Sequence, residues 1–317
     1  MIRIWVRIGC CVAKFPYFDS VQLILKYYTM HFSRRNFLRV SGVGLIATQA
    51  PGLMAANLPS SHKGPEVPFQ LGIASYTFRE FSLNETITMT QRLGISNLCL
   101  KSMHLPLELS PEEIQGESKK VSQAGIDLYG GGVIYMRTKE EVVHAFEYAK
   151  NAGMKVIVGV PEHELLELCN TKVKETGINL AIHNHGPGDD KYPSPESSYR
   201  LVEKMDPGMG LCIDIGHTAR IGLDPIKETS RFMDRVLDIH IKDEDKAEED
   251  GKTCEIGHGV IDIPGFLGML LKENYNKIVS FEFEKDGKDP LPGLAESVGY
   301  VRGVLNMLDM IRHAHGG

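Results

Sequence analysis

Four short apolar segments in the second half of the chain each end in residue types that bind protons or metals. They read Leu180-Ala181-Ile182-His183-Asn184-His185, Leu211-Cys212-Ile213-Asp214-Ile215-Gly216-His217, Leu237-Asp238-Ile239-His240-Ile241-Lys242-Asp243 and Val279-Ser280-Phe281-Glu282-Phe283-Glu284. In the third, Leu237, Ile239 and Ile241 share one face of a strand, and Asp238, His240 and Lys242 share the other. In the fourth, Phe281 and Phe283 oppose Ser280, Glu282 and Glu284. Ionisable side chains that converge inside a protein are costly unless a cation or mutual pairing compensates them. A divalent ion does so, and imidazole with carboxylate ligands suits Mn²⁺, Zn²⁺, Fe²⁺ or Co²⁺. The expected ligands of one such ion are His183, Asp214, His240 and Glu282. Singly, each has an ordinary role: a hydrogen-bonded core histidine, Asp214 as a helix N-cap, Glu282 paired with Lys242. Recurrence at four successive segments favours a shared site.

The elements that must position these groups follow from a repeated pattern: an apolar run, a loop, a helical stretch, then glycine and another apolar run. Leu93-Gly94-Ile95, Ala124-Gly125-Ile126, Ala152-Gly153-Met154 and Thr176-Gly177-Ile178 are such junctions, each with glycine as a left-handed helix cap. Residues 138–151 predict a helix with Val142, Val143, Phe146 and Ala149 on its apolar face. Ser110 before Pro111-Glu112-Glu113 predicts another helix start. Eight strands are expected at 70–74, 97–101, 127–130, 155–160, 179–183, 210–214, 236–240 and 277–282. Strands alternating with helices over this length predict an α/β fold, a closed (β/α)₈ TIM barrel of one domain. An open doubly wound sheet is the runner-up, but no Gly-rich dinucleotide fingerprint follows the first strand. The charged stretch 243–252 reads as solvated surface.

The second, third and fourth segments resemble the xylose isomerase-like barrel superfamily, which includes sugar epimerases, hydroxypyruvate isomerase, inosose dehydratase and the endonuclease IV group. The resemblance runs from Phe69 to about Leu308. It implies a metal held by Glu, Asp, His and Glu from strands five to eight; Asp214, His240 and Glu282 match the last three, and His217 matches a substrate-binding histidine. Strand five departs from the pattern, with His183 where the epimerases carry a glutamate. In those enzymes the two metal-bound glutamates exchange the substrate proton on opposite faces, so this departure argues against the usual two-base epimerisation.

The implied chemistry is proton abstraction beside a metal-polarised carbonyl. Glu282 or Glu162 is the expected base, and Lys242 or His217 steadies the oxyanion or protonates a leaving hydroxyl. His185, Lys101, His104 and Glu255 are expected to contact substrate, His185 otherwise orienting His183. The leading expectation is a metal-dependent isomerase or epimerase of a sugar or keto-sugar. A lyase or dehydratase acting on a keto-sugar or keto-glycoside is the alternative. A phosphodiesterase like endonuclease IV and a non-catalytic sugar-binding barrel rank lower.

The amino terminus points to export. Ser33-Arg34-Arg35-Asn36-Phe37-Leu38-Arg39, an uncharged run over 40–50 and small residues at Met54-Ala55-Ala56 form a twin-arginine signal, with Met30 where such signals begin. Its apolar part is too short to span a bilayer stably. The expected division is a leader over 1–56, a periplasmic barrel over 57–317, and a small carbohydrate as partner, with homo-oligomerisation open. Without the leader the body carries 28 basic and 40 acidic residues, a balance that excludes a general nucleic-acid binder. Cys99, Cys169, Cys212 and Cys254 form no CxxC pair and read as small buried hydrophobes.

Overall fold

A computed structural model describes residues 66–315; the expected export signal lies outside the described residues. Eight parallel strands close into a barrel: β1 (Gln70–Ala74), β2 (Asn97–Leu100), β3 (Asp127–Met136), β4 (Val156–Pro161), β5 (Asn179–His183), β6 (Met209–Asp214), β7 (Val236–Ile241) and, after a small antiparallel pair, β10 (Ile278–Phe281). The pair is β8 (Asp243–Glu244) with β9 (Thr253–Cys254). β10 pairs with both β7 and β1, which closes the ring and leaves no barrel edge. No described helix is long and apolar enough to cross a membrane.

Outside the ring run α1 (Leu83–Arg92), α2 (Pro111–Gln123), α3 (Lys139–Ala152), α4 (Leu166–Thr176), α5 (Pro195–Val202), α6 (Ile215–Arg220), α7 (Pro225–Arg231), α8 (Ile263–Lys272) and α9 (Leu291–His315). Local chemistry sets their ends. Ser82, Ser110 and Thr138 each accept the amide three residues on, while Glu85, Glu113 and Glu141 reach back to the cap amide. Gly153 closes α3 at φ 73°, a conformation that disfavours side chains, and Met154 turns directly toward β4. The outward strand faces, Ile182, Ile213, Ile239 and Phe281 among them, pack with the helices in one large core. Inside the ring, Cys99, Tyr129, Val158, Ala181 and Cys212 form a smaller cluster. All four described cysteines are free, and Cys99, Cys169 and Cys212 are buried as expected.

The structure corrects three expectations. β3 does not stop at Gly130 but runs through Gly131 and Gly132 to Met136, with a register shift between Gly131 and Ile134. Leu237 was expected to face the helices but packs inside the ring. An irregularity pairs Leu211 with Val236 and Cys212 with Asp238, leaving Leu237 as the extra residue of a bulge. The stretch 243–252 is not all surface, because Asp243 and Glu244 are buried.

Asp243 is buried because it organises the following loop. Its carboxylate accepts the amides of Gly257 (2.9 Å), Gly259 (3.0 Å), Ile261 (3.1 Å) and its neighbour Glu244 (3.0 Å). Gly259 has no room for a side chain, since a Cβ there would lie 2.2 Å from Asp243 Oδ1. Asp243→Ala strands three loop amides. It is expected to cost about 2–3 kcal/mol and to speed amide exchange over residues 257–261. Unchanged melting and exchange would show that the loop holds itself.

Candidate functional site

Strand register brings the four expected ligands together. His183 pairs with Cys212, so Asp214 lies one pleat further along β6 on the same inward side. Asp214 pairs with His240, and His240 pairs with Ser280, so Glu282 lies two residues beyond, just past the end of the strand that closes the ring. All four side chains are buried. His183 Nε2 is 3.1 Å from His240 Nδ1 and 3.6 Å from Asp214 Oδ2. His240 Nδ1 is 3.3 Å from Glu282 Oε2 and 4.0 Å from Asp214 Oδ2.

Lys242 lies among the same carboxylates. Its ammonium is 2.9 Å from Asp214 Oδ2, 2.8 Å from Glu282 Oε2 and 2.5 Å from Glu284 Oε1. The glycine of the Asp214-Ile215-Gly216-His217 run makes room for it: a Cβ on Gly216 would lie 2.5 Å from the Lys242 stem. Burial works against the charge on Lys242, but Asp214, Glu282 and Glu284 outweigh it and raise its pKa well above the usual lysine value. Burial likewise opposes ionisation of Glu282, and Lys242 and His240 overcome it, holding Glu282 well below the ordinary carboxylate range. Burial pushes His183 down to about 3, so it is a neutral ligand or hydrogen-bond partner at neutral pH.

One buried ammonium thus touches three carboxylates, Asp214 and Glu282 buried and Glu284 about one-third exposed. Two buried imidazole nitrogens, His183 Nδ1 and His240 Nε2, find no hydrogen-bond partner. The nitrogens and oxygens of His183, Asp214, His240 and Glu282 lie within 4.8 Å of one another. Ligands about 2.0–2.2 Å from one ion stand roughly 3.0–3.5 Å apart, close to the separations found. The group therefore fits a divalent cation in donor type, charge and spacing.

The other expected site residues divide into two groups. His217 caps the cluster: its ring nitrogen is 3.9 Å from Asp214 Oδ2, and its amide donates to Asp214 Oδ1 at 2.8 Å. Asp214 is thus also the N-cap of α6, so its ordinary and functional roles coexist. The His185 ring lies 4.5 Å from that of His183, and its Nε2 is 3.2 Å from the Tyr135 hydroxyl. Lys101 Nζ lies 5.4 Å from the Tyr76 ring centre. Burial lowers the Lys101 pKa against the pull of Glu282 and Glu284.

Three expected residues are engaged elsewhere. His104 spends both ring nitrogens on the protein, Nδ1 with Ser75 Oγ at 2.9 Å and Nε2 with the Phe78 carbonyl at 3.0 Å, and so ties two loops together instead of facing substrate. Glu162 is ion-paired with Lys191. Glu255 is bound by Lys285 at 2.8 Å and lines a separate cavity with Asp286 and Lys288. Glu284, in contact with Lys242, was not expected in the site, although its alternation with Glu282 marked the same face.

Lys242→Met removes the only ammonium among the described residues in direct contact with Asp214 and Glu282. The metal-free variant is expected to lose about 3–5 kcal/mol of stability, and added Mn²⁺ or Zn²⁺ to restore much of it, because both cations serve the same oxygens. A variant as stable as the parent, or indifferent to metal, would contradict this electrostatic balance.

Comparison with known proteins agrees with the geometry. Residues 132–304, more than half of the chain, match the family model described as xylose isomerase-like TIM barrel. Among curated proteins, the inosose dehydratase of Geobacillus kaustophilus is 26% identical over 167 residues, 48% of this chain and 51% of that protein. The inosose dehydratase of Lacticaseibacillus casei is 30% identical over 137 residues, 38% of this chain and 45% of that protein. The chain spans about half the length of these curated relatives. Among solved structures, an uncharacterised protein of Parabacteroides distasonis is 26% identical with a TM-score of 0.61, covering 75% of this chain and 99% of its own. A structure of L-ribulose 3-epimerase shares the fold at 13% identity and a TM-score of 0.63, covering 78% and 98%. The chain belongs to the xylose isomerase-like TIM barrel family.

Proposed function

We propose that this protein is a divalent-metal-dependent lyase that removes the proton beside a carbonyl of a sugar-derived ketone and expels an oxygen substituent from the next carbon. The observation that carries this reading is the asymmetry of the site. Glu282 is a carboxylate on one side of the cluster, while strand five presents a neutral imidazole, His183. The other candidate second base, Glu162, is ion-paired with Lys191. One base suffices for elimination, whereas inversion through two opposed bases needs a partner for Glu282.

His183, Asp214, His240 and Glu282 would hold the ion. When bound, it polarises the substrate carbonyl and offsets charge developing on its oxygen. Glu282 takes the proton, and the Lys242 ammonium steadies both Glu282 and Asp214. His217 and His185 border the cluster and donate to substrate hydroxyls; Lys101 supplies positive charge from the β2 side. Similarity to inosose dehydratases supports elimination. A one-base isomerisation is the second reading, supported by the fold shared with L-ribulose 3-epimerase. The expected export places the enzyme outside the cytoplasm and favours a free or glycosidic carbohydrate over a phosphorylated one.

Turnover of keto-sugars and keto-glycosides in deuterated water by the metal-loaded protein separates these readings. The expected result is one water or alcohol released per turnover, with an unsaturated ketone as product. An epimer or isomer carrying solvent deuterium, with nothing released, would overturn the lyase assignment.

A further inference from the structure

Beside the cluster lies a cavity of about 560 Å³, bordered by Arg220, Glu244, Lys252, Thr253, Glu284 and Lys285 among others. It adjoins the site through Glu284, whose carboxylate contacts Lys242. Glu244 continues the alternation that begins with His240 and Lys242, placing its carboxyl at the next step along the barrel mouth. Glu244 Oε1 and the Lys242 stem both lie within 3 Å of where a Gly216 Cβ would be, at 2.7 Å and 2.5 Å.

Glu244 is unusual among the acids of this region. It is 2% exposed. Oε1 accepts the Thr253 hydroxyl at 3.3 Å, and Oε2 is buried without a partner. Its backbone is fixed by pairing with Thr253 and by the adjacent Asp243 anchor. Burial raises its pKa to about 7, with Lys242 and Arg220 pulling down and Asp214 and Glu284 pushing up. A carboxyl in this environment carries a proton through much of the neutral range and has an oxygen to spare for a ligand. An unpaired buried carboxyl oxygen costs stability.

We propose that this cavity is the leaving-group subsite and that Glu244 is the catalytic acid within it, so that the preferred substrate is a keto-glycoside or keto-ether whose departing oxygen carries a polyhydroxylated group. This rests on the elimination reading above. The cavity is far larger than a departing water needs and falls within the roughly 300–1,000 Å³ of pockets that enclose small ligands. Its charged and hydroxylated border suits a second sugar better than an apolar aglycone. In the reaction, Glu282 takes the proton beside the carbonyl, and the freed electron pair forms the carbon–carbon double bond. The carbon–oxygen bond at the next carbon breaks with its pair on oxygen, and that oxygen takes the Glu244 proton and departs as an alcohol. Glu282 then releases its proton to solvent and Glu244 takes one back, which restores both groups.

The test uses metal-loaded protein and two glycosides of one keto-sugar, a methyl glycoside that needs a proton on departure and a 4-nitrophenyl glycoside that does not. Glu244→Gln is expected to lower kcat on the methyl substrate by about 100-fold and on the nitrophenyl substrate by less than tenfold, with metal content and melting retained. Glu244→Ala is expected to regain turnover of the methyl substrate with added formate, a rescue that a purely structural role would not give. Equal losses on both substrates, or no loss on the methyl glycoside, would overturn the role of Glu244. A parent enzyme that expels water from keto-sugars but neither alcohol would overturn the subsite and leave the elimination reading standing. A parent enzyme that eliminates nothing would overturn both.

Discussion

The site is governed by the electrostatics of buried charge. Two buried carboxylates and two buried imidazoles meet in the barrel mouth beside the partly exposed Glu284, and among the described residues Lys242 is the ammonium in direct contact with all three acids. Such a group is strongly destabilising when unbalanced and weakly stabilising even when balanced. Lys242 serves as counter-ion without metal, and the spacing of the His183, Asp214, His240 and Glu282 donors leaves the cluster ready to share those oxygens with a divalent ion.

The scaffold around this group is rigid in the places that matter. Three of the four donors stand on barrel strands whose register fixes their height, and Glu282 directly follows the fourth strand. The Lys242 stem fills the space that Gly216 leaves open. Asp243 then pins the loop that leaves the mouth, which holds Glu244 beside the ammonium. The run from His240 to Glu244 thus places a candidate metal ligand, an ammonium, an anchor and a buried acid within five residues. Burial holds His183 neutral and lets Glu244 keep its proton into the neutral range, whereas the carboxylates around Lys242 overcome burial and make it hold its proton more tightly.

Period-two alternation and helix caps carry over into the structure directly, because both depend on neighbours in sequence. They made the eight strands, the Ser110 cap, the Gly153 terminus and the inward face bearing His240 and Glu282 legible. Features that depend on tertiary neighbours were not. β3 runs on past Gly130 because the adjoining strands pair with it there. The bulge that turns Leu237 inward comes from the register with β6. Glu162, Glu255 and His104 carry reactive side chains at plausible strand ends, but Lys191, Lys285 and the Ser75–Phe78 turn occupy them from distant positions. Glu244 looked like one more acid in a charged run, since its sequence neighbours give no sign that its side chain is enclosed.

Most directly, the central claim concerns how many divalent ions the chain holds and through which side chain. Purified protein stripped of metal, incubated with excess Mn²⁺ or Zn²⁺ and freed of unbound ion should retain about one ion per chain. Asp214→Ala, with an unchanged circular dichroism spectrum, should retain close to none. A parent chain that keeps no ion, or a variant that keeps as much as the parent, would contradict the cation site on which the account stands.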